Sequence, residues 1–345
     1  MKAVVFDRYG DPSALRTAEL PEPSPGAGEV LIGIRRAGVN HVDLDIRSGV
    51  SRFDFRFPHV PGIEAAGDVL AIGAGVDEAL LGSRVALFYI KTCGRCWYCL
   101  EGRDNLCQRR QLFGEHIPGT YAERIAVPAG NCLLLPDGVS YDEGAASVVT
   151  FGTAWHALVA TARLRPGEMV LIHSVGGGVA SAALQVAKLA GATVLATAST
   201  EEKLKLARED GADFTVNYRN KDPFELADQV TAGRGVDVVV DTVGGTTAME
   251  SLLHMAPGGR LLSIGAHGGE HVDLDLIEVF RRHISIVGSH TQTRVEALQV
   301  LRLIAQGALR PRIHQVLPLE RAADAHRLLA NREHYGKVLL QVAST

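Results

Sequence analysis

The chain changes rhythm once along its length. From Lys2 to about Val127, apolar and polar positions alternate in short runs such as "EVLIGIRRAGV" and "YAERIAV", cut by Gly and Pro. That is the pattern of a β-rich domain with frequent turns. From about Gly167 short apolar runs take turns with stretches of helical period: "EMVLIH", "VASAALQVAKLAG", "TVLATA", "TEEKLKLAREDG", "DFTVNY", "VDVVVDTVG", "TTAMESLLHMA", "GRLLSIG" and "ISIVGS". Strands alternating with helices predict an α/β unit with a doubly wound parallel sheet, and six strands make it the size of a full dinucleotide-binding fold. "FGTAWHALVATARL" reads as a helical connector. After Ser289 a helix, "RVEALQVLRLIAQG", and a strand, "KVLLQV", are too little for a third domain and are expected to rejoin the first. The predicted domains are 1–150, with 289–345 returning to it, and 151–288.

Composition narrows the function classes. The 345 residues are 46% hydrophobic and 21% charged, with a net charge of -4 and no long basic block, which gives no electrostatic reason to expect nucleic acid. No apolar run is long enough to span a bilayer. "MKAVVFDRYGDP" lacks the features of a secretion signal, so a cytoplasmic location and a small-molecule substrate are the expectations.

Four of the five cysteines fall within "CGRCWYCLEGRDNLC". Cys93, Cys96, Cys99 and Cys107 follow C-x2-C-x2-C-x7-C, a clustering that in a reducing compartment argues for metal and against disulfides. Four thiolates suit zinc and close the site, leaving no position for substrate, so the expected ion is structural. Cys132, alone in "AGNCLLLP", reads as an apolar core residue.

"VLIHSVGGGVASAALQVAKLAG" places Gly176, Gly177 and Gly178 between a strand and an amphipathic helix. There the backbone can approach a pyrophosphate, which Val179 and the rest of the helix N-terminus face with unpaired N–H groups. The strict G-x-G-x-x-G spacing is broken at Ser181. The next strand ends in Ala198-Ser199-Thr200, without the acid that an NAD site usually places there. Ser199, Thr200 and Lys203, with Tyr218 and Arg219 one strand later, are instead suited to a 2'-phosphate, so NADPH is the expected cofactor. Asp241, Thr242, Val243 and Gly244, then Ile264, Gly265 and Ala266, then Gly288 and Ser289, end strands at the sheet edge where nucleotides bind.

In order, "AGVNHVDLDIRSG", "PHVPGIEAAGDVLAIGAGV", "GSRVAL", the cysteine lobe, "GTYAE", the glycine loop and "DTVGG" resemble the zinc-type medium-chain dehydrogenase/reductase superfamily. The resemblance implies a GroES-like β-rich catalytic domain and a Rossmann domain, with substrate and nicotinamide in the cleft between them. It also implies a catalytic zinc in the alcohol dehydrogenase branch, but the matching ligand positions hold Asn40, Ile63 and Val149. Val42 replaces the proton-relaying hydroxyl. Zinc catalysis needs about three protein ligands and an open position, and Glu64 alone cannot supply them. What remains is similar to the quinone oxidoreductase and enoyl reductase branch, apart from the cysteine lobe.

By the same resemblance Asn40 is expected beside the nicotinamide, His41 near the pyrophosphate, and Lys337 among the cofactor-binding groups. Asp43 is expected to orient its neighbours and Glu64 to be retained for its hydrogen bonds. His116, in "FGEHIPGTYAE", is a candidate proton donor because an imidazole titrates near neutrality, with Tyr121 a weaker candidate. The expected protein is an NADPH-dependent reductase of quinones or of the C=C bond of conjugated carbonyl compounds, with one structural zinc, as a homodimer. Two alternatives stay open: an alcohol dehydrogenase or carbonyl reductase whose nonstandard metal site uses Glu64 with His41 or His59, and an NADPH-binding protein without turnover.

Overall fold

The computed structural model describes residues 1–51 and 56–343. Residues 52–55 and 344–345, assigned above to the first domain, lie outside the described residues. The chain forms two compact units: Met1–Val149 with the segment from Thr293 onward, and Thr150–Gln292.

In the first unit the long strand β1 (Glu29–Val39) leads into helix α1 (His41–Ser48) and is followed by β2 (Glu64–Ile72), β3 (Arg84–Leu87), β4 (Arg124–Pro128) and β5 (Cys132–Leu134). All pairings are antiparallel: β2 runs along one edge of β1 and pairs in turn with β3, and β3 with β5. Strand β4 covers only the first half of the other edge of β1, from Glu29 to Gly33, which leaves the second half for a later strand. Alternate side chains such as Ile32, Ile34, Val69, Val85 and Val127 point into one core with Phe6, Ile46 and Tyr121. The apolar alternation in the sequence is this inward face.

The second unit holds β6 (Met169–Ile172), helix α2 (Gly178–Leu189), β7 (Thr193–Ala198), helix α3 (Glu201–Glu209), β8 (Phe214–Asn217), β9 (Val236–Asp241), β10 (Met255–Ser263) and β11 (Ser285–Gly288). The six strands are all parallel, in the order β8-β7-β6-β9-β10-β11. Successive residues Val170, Leu171 and Ile172 are all buried, as expected of a parallel strand covered on both faces. The order reverses direction between β6 and β9, the place where open α/β sheets bind ligands.

The return consists of helix α4 (Arg294–Ala305), β12 (Ile313–Pro318), helix α5 (Ala322–Ala330) and β13 (Lys337–Gln341). Strand β13 pairs antiparallel with the vacant half of β1, Val338 opposite Val39 and Gln341 opposite Arg36, and β12 lies parallel outside it. Residues 289–292 stay with the second unit. The Ser289 N–H bonds the Ser263 carbonyl at 3.0 Å, and the buried Gln292 packs so closely on Gly152 that a Cβ there would lie 2.6 Å from its Cδ.

Candidate functional site

Four residues named from the sequence meet at the β1–α1 junction, where β13 comes alongside. Asn40 caps α1, and the Asp43 carboxylate reaches back to the Asn40 N–H at 2.8 Å. Glu64 opens β2 opposite Gly38. Its Oε2 accepts from Lys337 Nζ at 2.8 Å and from the Asn40 amide at 3.2 Å, and its Oε1 accepts the Val149 N–H at 2.8 Å. The other Lys337 protons go to Asn40 Oδ1 at 2.6 Å and the Val39 carbonyl at 2.9 Å. An ammonium has three protons to donate, and all three are used.

The resemblance sets Asn40 beside the nicotinamide and Lys337 among the cofactor-binding groups; in the first unit the two side chains hydrogen-bond each other and Glu64, with Asn40 8% exposed. The position that the resemblance gives to a zinc ligand holds an amide tied to an ion pair.

From Asp43 a second chain of contacts runs inward that the sequence did not announce. Asp43 Oδ2 accepts from the Tyr121 hydroxyl at 3.1 Å, that hydroxyl lies 3.2 Å from His326 Nε2, and His326 Nδ1 lies 3.2 Å from the Arg47 guanidinium. Burial raises Asp43 to about 7, and its Oδ1 is buried with no protein partner among the described residues. Burial, helped by the neighbouring Arg47 charge, lowers His326 to about 3. Arg47 and His326 lie on α1 and α5, far apart in sequence; Arg47 falls in the "AGVNHVDLDIRSG" stretch but His326 in no motif, so only the fold brings them together.

His41 and His116 are not drawn into this network. His41 is exposed, 4.0 Å from Asp45 one helical turn on. His116 is partly buried and accepts the Leu112 N–H on Nδ1 at 3.1 Å, which leaves the proton of the neutral ring on Nε2. Burial lowers its proton affinity. His59 is turned inward, 2.9 Å from the Gly114 carbonyl and edge-on to Phe6.

Within the first unit the cysteine lobe lies between two short antiparallel strands, Ile90–Lys91 and Gln111–Leu112. The four Sγ atoms lie within 4.8 Å of one another, with Cys96 to Cys99 at 3.5 Å and Cys93 to Cys99 at 4.0 Å. A tetrahedral zinc with bonds of about 2.3 Å to sulfur sets its ligands about 3.8 Å apart, so the thiols are already arranged for one. Backbone N–H groups hold Cys93 and Cys96 below the usual thiol value, and burial holds Cys99 above it. Among the described residues of the first unit, no other set of three or more metal-capable side chains comes together.

In the second unit Gly176 ends the turn that follows β6, Gly177 caps α2, and Gly178 and Val179 are its first two residues. Gly177 has φ of -74°, and a Cβ there would meet only the Ser174 carbonyl at an ordinary 3.6 Å. Neither the turn nor packing within the protein demands glycine, which fits a loop kept small for a phosphate. No carboxylate follows β7 before α3. Thr200 caps α3, accepting the Lys203 N–H at 3.3 Å, and Tyr218 is held beside Ser199 by its N–H to the Ala198 carbonyl at 3.1 Å. At the next strand ends, Asp241 is spent on its own turn, accepting the Val243 and Gly244 N–H groups. The Ile264 N–H bonds the Asp241 carbonyl at 2.9 Å, which draws Ile264-Gly265-Ala266 alongside Asp241 and Thr242. Gly265 lies against Thr242, whose carbonyl would be 2.9 Å from a Cβ. The Ser289 hydroxyl is buried with no protein partner among the described residues.

Comparison with known proteins agrees with both halves. The family described as alcohol dehydrogenase GroES-like domain matches residues 26–137, and the zinc-binding dehydrogenase family matches residues 178–306. An acryloyl-coenzyme A reductase from Metallosphaera sedula is 32% identical, with 99% of each chain covered. A quinone oxidoreductase from Sus scrofa is 30% identical, over 99% of this chain and 97% of that one. The crystal structure of an NAD-dependent alcohol dehydrogenase superposes with a TM-score of 0.96 at 43% identity, covering 99% of this chain and all of the other. The chain belongs to the zinc-type medium-chain dehydrogenase/reductase superfamily. It is an oxidoreductase of that type, with a GroES-like domain, a Rossmann-like parallel sheet and a cysteine cluster built for metal. Among the described residues no helix is long and apolar enough to cross a membrane.

Proposed function

We propose that the chain is an NADPH-dependent reductase that delivers hydride to the β-carbon of α,β-unsaturated carbonyl compounds, or to quinones, without a catalytic metal. One observation carries the reading. At the three positions that the resemblance gives to zinc ligands stand Asn40, Ile63 and Val149, and the neighbouring Glu64 has both oxygens occupied by Lys337, Asn40 and the Val149 N–H.

A conjugated acceptor spreads the developing negative charge through its own carbonyl, so a Lewis acid is not required of the protein. The bound nicotinamide supplies the hydride. The chain's part is to hold the dinucleotide at the Gly176–Gly178 turn and to offer a proton to the α-carbon or oxygen. His116 is assigned to that step: as an imidazolium it would release a ring proton and return to the neutral form. Asn40 and Asp43 brace the β1–α1 junction and take no proton in this scheme. Ser199, Lys203 and Tyr218 are assigned to the 2'-phosphate. The relatives named for acryloyl-coenzyme A and quinone reduction support the acceptor class; the structural relative named an NAD-dependent alcohol dehydrogenase favours the alternative.

The test is NADPH oxidation with a simple α,β-unsaturated ketone, with product identification and zinc analysis. A saturated ketone and one zinc per chain are expected. An allylic alcohol, with two zinc ions per chain, would establish the alcohol dehydrogenase reading instead.

A further inference from the structure

The second unit is inserted in the first, so the chain leaves the first unit after Val149 and re-enters it at Thr293. A carboxylate of the first unit holds the backbone at each point. At the exit, Glu64 Oε1 accepts the Val149 N–H at 2.8 Å. At the re-entry, the Asp104 carboxylate accepts the Arg294 N–H at 3.2 and 3.4 Å.

Asp104 belongs to the cysteine lobe. It lies between Cys99 and Cys107 and opens the single turn Asp104–Leu106, whose end is set by the Cys107 N–H on the Asp104 carbonyl at 3.0 Å. The lobe has little core of its own: Trp97 and Leu100 are 70% and 74% exposed. An ion on its four thiolates is therefore what holds its shape.

Arg294 is the first residue of α4. Thr293 and Glu296 satisfy each other's N–H groups in a capping box, and Asp104 takes the next orphan donor. The Arg294 guanidinium lies over the Phe88 ring, 5.5 Å from its centre, with Nε 4.0 Å from the Asp104 carboxylate.

We infer that the cysteine lobe is the fastening of the returning chain. The four thiolates, once bound to metal, fix Asp104, and Asp104 is the positioning residue that orders the start of α4. The lobe thereby does more than fold itself.

Hydrogen exchange of the full-length, zinc-containing protein tests this, with metal content followed by an indicator. Stripping the zinc is expected to speed exchange of the amides of Arg294 to Ala297 about tenfold together with those of the lobe, while the buried strand Val238 to Val240 hardly changes. Asp104→Leu is expected to release Arg294 to Ala297 with one zinc retained. Asp104→Asn, which keeps an acceptor oxygen, should stay near wild type. Deprotection confined to the lobe on stripping overturns the inference, as does a protein isolated without metal whose Arg294 to Ala297 amides are protected. Stripping the wild-type protein decides the matter if the leucine variant does not fold.

Discussion

The ammonium of Lys337 lies 2.8 Å from the Glu64 carboxylate, with the two side chains 4% and 0% exposed. Removing one partner of a buried pair leaves an uncompensated charge, which costs about 3–5 kcal/mol. Lys337→Met should therefore lower the unfolding free energy by that much, read from denaturant unfolding, and Lys337→Met with Glu64→Gln should recover part of the loss because no buried charge remains. A loss as small as that of an exposed ion pair would show that the pair is not buried in solution.

His326 and Asp43 predict opposite pH dependences. The unfolded His326 takes up a proton near pH 6.5, whereas the folded one resists until about pH 3, so its contribution is complete above pH 6.5 and is lost as pH falls through that window. The folded Asp43 holds its proton up to about pH 7, so stability falls as pH rises from about 4 to 7. His326→Gln should remove the first slope from midpoints measured across pH 4 to 8. Asp43→Asn should compare better with wild type at pH 8 than at pH 5. Unchanged slopes in both variants would mean that neither group keeps its burial in solution.

The strand-end cluster after β7 predicts coenzyme preference. Ser199→Asp introduces a carboxylate that repels a 2'-phosphate and accepts from a ribose hydroxyl. The KM for NADPH should rise by about tenfold or more, with little change for NADH. A wild-type enzyme that already uses NADH better would remove the NADPH assignment.

His116→Asn keeps an acceptor for the Leu112 N–H and removes the proton carried on Nε2. Turnover should fall about a hundredfold with the fold intact, and the alkaline limb of the pH–rate profile, where the imidazolium is lost, should change. Equal turnover would reassign proton delivery to water.

The change from alternating runs to strand–helix units was legible because each secondary structure has its own hydrophobic period. The six parallel strands appear in the second unit where that period changes. The cysteine spacing was legible for a similar reason: a local lobe brings its ligands together within fifteen residues. The glycine turn after β6 was readable as well, since backbone access is a local property.

Tertiary structure alone decided how the charges are used. Lys337 stands as a lone cation opening the apolar strand "KVLLQV", but its partner is set by β13 closing on the free half of β1, beside Asn40 and Glu64. Asp43 and Arg47 on α1, Tyr121 and His326 come from three separate stretches. Asp104 meets Arg294 only because the chain returns. Burial turns such encounters into strong constraints, because a polar group removed from water must find its partner wherever the fold provides one. Sequence period records which face is buried; which charges meet there depends on strand order and return topology, which leave no periodic trace.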